Sequence, residues 1–290
     1  MKYNQLKTFA YLGSLTGLFL YAGWSLGGNS GLLSTLFLST LMNGFAYFYS
    51  DKMVLTLYRA QPLDEWNYSY IHNIVADLCQ TMNIPKPKLW LINNPAANAM
   101  ATGRNPQHAS VAVTSGILDL VNEQELRGIL AHELSHVKNR DILINSVSAV
   151  FATGIGYIAN TFRRMGNRIQ YEHENQQRRG NPLGKLLLTT LLPFAALLIR
   201  LAITRSREYL ADETGSEYSH EPLALASALE KLEQSKKRNR FNPFNPLVAA
   251  TAHMFIVNPF LPGGWRVLFS THPPVALRVA RLKKMYEKMQ

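Results

Sequence analysis

From Thr8 to Ser50 the chain carries no charged residue, and no other stretch of its 290 residues constrains the fold as much. Gly27-Gly28-Asn29-Ser30 interrupts the stretch near its middle. Each half is close to the roughly 20 residues that a helix needs to cross a hydrocarbon core. A cleaved leader would have a shorter apolar region and then a small-residue cleavage site. Here a second apolar segment follows at once. The expectation is a helical hairpin, Thr8–Leu26 and Gly31–Tyr49, joined by a very short turn. Lys2 and Lys7 precede the first helix, Lys52 and Arg59 follow the second, and the turn is uncharged. The excess of Lys and Arg on cytoplasmic loops then places the N-terminus, and everything after residue 51, in the cytoplasm. This describes a multi-pass protein of the cell (inner) membrane. Residues 1–50 form a transmembrane hairpin and residues 51–290 a cytoplasm-facing domain.

Composition agrees. Hydrophobic residues make up 47% and charged residues 17%, a balance that leans towards membrane proteins. The net charge of +11 suits contact with an anionic lipid surface. No stretch interleaves basic residues with stacking aromatics, so nucleic acid is not an expected partner. The single cysteine, Cys79, excludes an intramolecular disulfide and reads as a small core residue.

Beyond residue 51 the pattern becomes that of a folded domain. Trp66 to Met82 has helical periodicity, with Ile71, Ile74, Val75 and Leu78 on one side, and Pro85 and Pro87 follow it. Lys88–Asn93, Asn98–Thr102 and Ser110–Thr114 read as short strands between turn signals. Asn122 and Glu125 form a capping pair for a helix that runs to about Asn139. Residues 142–162 are again uncharged, and a shorter apolar run covers 186–199. The loop between them holds five Arg residues. An outside loop of that kind conflicts with the charge rule, so three readings of this second pair, inserted at about 142–204, stay open: spanning, entering the membrane only partly, or packed on the protein. Residues 205–235 and Pro274 to Lys288 read as helical.

The chemistry lies in His132-Glu133-Leu134-Ser135-His136. On a helix, positions i and i+4 share a face, so both imidazoles can reach one metal ion. Glu133 is offset around the helix, where it can take a proton from a water at the metal. This is the zinc protease signature. Catalytic zinc has a third protein ligand and an open fourth position. A histidine six residues beyond His136 could complete the set, but Ile142 stands there. The alternative is a glutamate from another helix. Glu208 is the best candidate, because Asp212, four residues on, could accept a hydrogen bond from the far nitrogen of a liganding histidine. Glu217, Glu221 and Glu230 lack such a partner.

HExxH followed by Glu208-Tyr209-Leu210-Ala211-Asp212 resembles the HtpX-type membrane zinc endopeptidases, relatives of the CAAX prenyl proteases. The N-terminal hairpin, Asn98-Ala99-Met100-Ala101-Thr102-Gly103, the second hydrophobic pair and Ser270-Thr271-His272-Pro273-Pro274 follow in that family's order. Met100 stands where an aromatic is common. The resemblance implies an α+β, mainly helical fold: a zincin-like metalloprotease domain with a small antiparallel sheet and the HExxH helix, attached to transmembrane helices. It implies that Asn98, Ala99, Met100 and Ala101 form an edge strand that pairs with the substrate backbone. His272 would face the reacting carbonyl, and Arg278 would orient it or pack structurally. One Zn2+ per chain is expected. Glu133 would act as general base and His272 beside zinc as oxyanion stabiliser. The substrates would be polypeptides, misfolded or damaged membrane proteins above all, met at the bilayer surface in protein quality control. Two other readings stand beside this one. One is a site-specific CAAX-type processing protease. The other is a non-catalytic membrane adaptor with a structural metal site, which would have no use for Glu133.

Overall fold

The computed structural model describes residues 2–150, 205–236, 251–257 and 272–290. The 151–204 part of the second hydrophobic pair lies outside the described residues, as do Ser270 and Thr271.

The chain opens with α1, Lys2–Leu57, which bends sharply where Gly27 and Gly28 leave helical φ/ψ. The two arms fold back on each other. Asn43 Nδ2 donates to Thr16 Oγ1 at 2.7 Å, and a Cβ on Gly23 would lie 2.6 Å from the Gly31 carbonyl oxygen. Only glycine permits so close a crossing. The expected hairpin is therefore present. Its second arm runs on to Leu57, eight residues past Tyr49, because Asp51 and Lys52 are compatible with helix outside an apolar layer. Among the described residues, Gly27–Leu57 is the segment long and apolar enough to cross a membrane. Its large side chains point outwards: Leu33 is 64% exposed and Phe37 69%.

The rest is a small sheet packed on helices. A two-residue strand β1 (Gln61–Pro62) leads to α2 (Ser69–Met82). Ile71, Ile74, Val75, Leu78, Cys79 and Met82 form the buried face of α2. The helix begins at Ser69 rather than Trp66 because Asp64 holds the preceding residues in a turn, its Oδ1 accepting from Asn67 N–H. Strands β2 (Lys88–Ile92), β3 (Ala99–Gly103) and β4 (Ala109–Thr114) complete a sheet of order β1-β2-β4-β3. β3 pairs antiparallel with β4, Ala99 opposite Val113, but β2 pairs parallel with β4, Lys88 opposite Ser110. The sheet is thus mixed rather than antiparallel throughout. β3 is inserted between two parallel neighbours in sequence and occupies the edge.

After α3 (Ser115–Leu120) comes α4 (Glu123–Lys138), which carries the HExxH. Asn122 and Glu125 make the reciprocal cap: Asn122 Oδ1 accepts from Glu125 N–H, and Glu125 Oε2 accepts from Asn122 N–H, both at 2.9 Å. Glu125 also accepts from Ser227 Oγ at 2.6 Å and Lys231 Nζ at 2.7 Å. Ile129, Leu130 and Leu134 are completely buried, so truncating any of them to alanine costs about 2–5 kcal/mol. Residues 142–150 are helical again. The stretch 205–235 is two helices, α5 (Arg205–Ser219) and α6 (Pro222–Ser235). They break at His220, whose φ is 57°, just before a proline that suits a helix start. The last helix is α7 (Val275–Met289). One apolar core joins α2, the sheet, α4, α6 and α7.

Candidate active site

α4 places His132 and His136 one turn apart, both buried, with ring centroids 4.8 Å apart and an interplanar angle of 89°. Their Nε2 atoms are separated by 3.3 Å. Glu208, on α5, comes to the same point. Its Oε2 lies 3.8 Å from His132 Nε2 and its Oε1 3.7 Å from His136 Nε2. Metal–nitrogen distances of about 2.0–2.1 Å imply tetrahedral edges of about 3.3–3.4 Å. The three donors are therefore spaced as ligands of one ion. Glu208 Oε2 is buried and has no hydrogen-bond partner among the described residues, as suits an atom intended for a cation. The donor set and its burial fit zinc.

The close approach of the two helices depends on Gly215. A Cβ there would lie 2.9 Å from the His132 backbone nitrogen, which has no room to yield. Glu217, Glu221 and Glu230 are not part of the cluster formed by His132, His136 and Glu208. Glu230 lies instead 3.7 Å from Lys283.

Behind the rings stand carboxylates. Asp212 Oδ1 is 2.9 Å from His132 Nδ1. Arg278 holds Asp212 with one edge of its guanidinium, Nε donating to Oδ2 at 2.7 Å and Nη2 to Oδ1 at 2.6 Å. Burial alone would raise the Asp212 carboxyl, but Arg278 and His132 override it and hold it well below the usual carboxylate range. Arg278 Nη1 also donates to the Ile256 carbonyl at 2.7 Å. The arginine is fully buried and locks three segments together. Asp141, which the sequence reading passed over, stands behind the other ring, its Oδ2 3.2 Å from His136 Nδ1.

Electrostatics divide the groups. Burial lowers His132, favouring the neutral ring. For His136, burial opposes the charge, but Asp141, with Glu208 and Glu133, pushes it up to about 10. Burial, with the neighbouring Glu208 charge, pushes Glu133 up to about 8, against the pull of His136 and a hydrogen bond from the Ala101 backbone. His272 Nε2 sits 3.5 Å from Glu208 Oε2. Burial and the Arg278 charge hold its pKa well below the usual value, so its ring is neutral.

The groups enclose a cavity of about 20 Å³, lined by Ala101, both histidines of the motif, Glu133, Glu208 and His272. Residues 253–256 line it as well. His253 there, also missed from sequence, contacts the Asn145 carbonyl through Nε2 at 3.0 Å.

β3 lies at the edge of the sheet, as expected for Asn98 to Ala101, but the four residues are not equivalent. Asn98 is spent internally. Its carbonyl accepts from Thr114 N–H at 3.0 Å, its N–H donates to Thr114 Oγ1 at 2.8 Å, and its side chain accepts from Ile256 N–H at 3.1 Å. Antiparallel pairing alternates, so Met100 turns its backbone groups inwards to β4 with Asn98, and Ala99 and Ala101 face away from β4; the strand is buried throughout, and the Ala101 backbone bonds to Glu133.

Two imidazoles from one helix, a carboxylate from a second, and a buried glutamate beside them define a zinc metalloprotease of the HExxH type. The chain belongs to peptidase family M48, which matches residues 65–286. It is 45% identical over 286 residues to a protease HtpX homolog of Persephonella marina, covering 99% of each chain. It is likewise 45% identical to the protease HtpX of Legionella pneumophila (Philadelphia 1), covering 98% of this chain and 99% of that one. The crystal structure of S. mikatae Ste24p shares the fold, with a TM-score of 0.52 at 16% identity. The match covers 96% of this chain and 65% of that one. The protein is thus a membrane zinc metalloprotease acting on polypeptides, and the adaptor reading is set aside.

Proposed function

We propose that the protein is an endopeptidase that cleaves misfolded or damaged membrane proteins at the surface of the cell membrane, with its catalytic domain facing the cytoplasm. The observation that carries the chemistry is the convergence of His132, His136 and Glu208 beside the buried Glu133. Zinc, when bound by those three side chains, supplies Lewis acidity to the scissile carbonyl and to the attacking water. Glu133 takes the water's proton and later delivers it to the leaving amine. Burial and the Glu208 charge push its pKa up to about 8, so its ionised form is a stronger base than an ordinary carboxylate, and the share in that form grows as the pH rises past neutrality. His272, neutral and bearing one ring proton, donates to the developing oxyanion. Ala99, and the Ala101 carbonyl, are the edge backbone groups for an extended substrate, with Asn98 and Met100 shaping the strand, and reading main chain rather than side chains suits broad specificity. Asp212, clamped by Arg278, fixes the His132 ring.

The membrane assignment draws on the exposed apolar face of Gly27–Leu57. The motif helix ends at Lys138 and the apolar stretch starts at Ile142, which keeps the site close to the bilayer and favours membrane proteins as substrates. The HtpX names of the relatives agree with a quality-control role. The test is Glu133→Gln, assayed on an unfolded polypeptide. The variant is expected to keep its zinc and lose cleavage by at least a hundredfold, the low end of general-base contributions of about 10²–10⁴. Cleavage at the wild-type rate would rule out the mechanism.

A further inference from the structure

The end of α4 carries an unassigned device. Arg140 N–H donates to the Val137 carbonyl and Asp141 N–H to the His136 carbonyl, each at 3.2 Å, and Arg140 has a φ of 59°. This is a Schellman cap made without the glycine that normally occupies its left-handed position. A side chain in that conformation is strained. The cap folds Asp141 back over the residue whose carbonyl it uses, and that residue is His136. The Asp141 side chain is 1% exposed and its Oδ2 lies 3.2 Å from His136 Nδ1. Its Oδ1 has no hydrogen-bond partner among the described residues. A buried carboxylate so poorly satisfied is costly without a partner. The His136 ring, against its Oδ2, is the partner the structure gives it.

The arrangement repeats the one behind the other ring. His132 Nδ1 meets Asp212 at 2.9 Å, and Asp212 is clamped by the buried Arg278. Each imidazole of the motif therefore has an aspartate on Nδ1, and each directs Nε2 to the shared point. Hydrogen bonding at Nδ1 fixes the tautomer that leaves the Nε2 lone pair for a metal and raises its basicity.

We propose that Asp141 is the positioning residue for His136, held in place by the strained cap at Arg140. This rests on the reading of His136 as a zinc ligand. The test uses the full chain in detergent, with zinc affinity measured against a chelating dye, and with the absorption spectrum of the cobalt-loaded protein. Asp141→Ala is expected to weaken zinc binding by about 10–100-fold, the usual effect of removing such a support. It should also shift the cobalt bands and lower kcat on unfolded casein with little change in KM. Asp141→Asn keeps the shape and an acceptor oxygen but not the charge, and its affinity is expected to fall between wild type and Asp141→Ala. Melting in excess chelator reports the fold alone. If Asp141→Ala does not fold, Asp141→Asn decides. Wild-type zinc affinity and an unshifted cobalt spectrum in Asp141→Asn overturn the proposal. His136→Ala separates the two claims: stoichiometric zinc retained there would overturn the ligand reading itself, whereas zinc lost there but unaffected by Asp141 variants overturns the positioning role only.

Discussion

At the scale of single residues, the site is built to hold protons until a metal arrives. His136 is pushed up to about 10 by its acidic neighbours, so its ring is charged at neutral pH, and a liganding imidazole must be neutral. A raised value means the proton is bound below about 10 and lost above it, so zinc competes with that proton throughout the physiological range. Titration calorimetry at pH 7 in buffers of different ionisation enthalpy is expected to show at least one proton released per zinc bound, with apparent affinity climbing as the pH is raised. Binding without proton release would contradict the charge assigned to His136. His132, Glu133 and His136 were legible in the sequence because their chemistry depends only on helical spacing. Asp141 was not. Its approach to His136 needs a left-handed residue at Arg140, and that position lacks the glycine that would have announced the turn.

At the scale of elements, the distance between α4 and α5 decides whether Glu208 reaches the histidines. Gly215 sets that distance, since a methyl group there would meet the His132 backbone nitrogen at 2.9 Å. Gly215→Ala is expected to lower stability by about 1–3 kcal/mol, as overpacking does, and to weaken zinc binding by moving Glu208. Chemical denaturation alongside zinc titration checks both, and an unchanged zinc affinity would show that the helix spacing is not critical. The α2 stripe, the Asn122–Glu125 cap and the hairpin could all be read from periodicity and turn chemistry. The parallel pairing of β2 with β4 could not, because strand direction follows from which edge the intervening β3 takes. The break at His220 was equally hidden, although Pro222 marked the start of the next helix.

At the scale of the whole molecule, an apolar hairpin and a basic, folded remainder share one chain. The proposed orientation puts the turn between the arms of α1 outside the cell and the metal site inside. Cys79 is the sole cysteine and is buried, 3% exposed, so a cysteine introduced at Ser30 can be labelled selectively. An impermeant thiol reagent applied to intact cells is expected to label Ser30→Cys. Labelling only after permeabilisation would invert the topology. Charge distribution alone carries this proposed orientation, because lipid and water sort side chains over tens of residues and need no tertiary detail.

The account as a whole depends on one ion held between two helices. Metal analysis of the purified full-length protein, wild type beside Glu208→Ala, tests this most directly. One zinc per chain in the wild type, and its loss in a variant that still folds, is the predicted result; equal, stoichiometric zinc in both would contradict it.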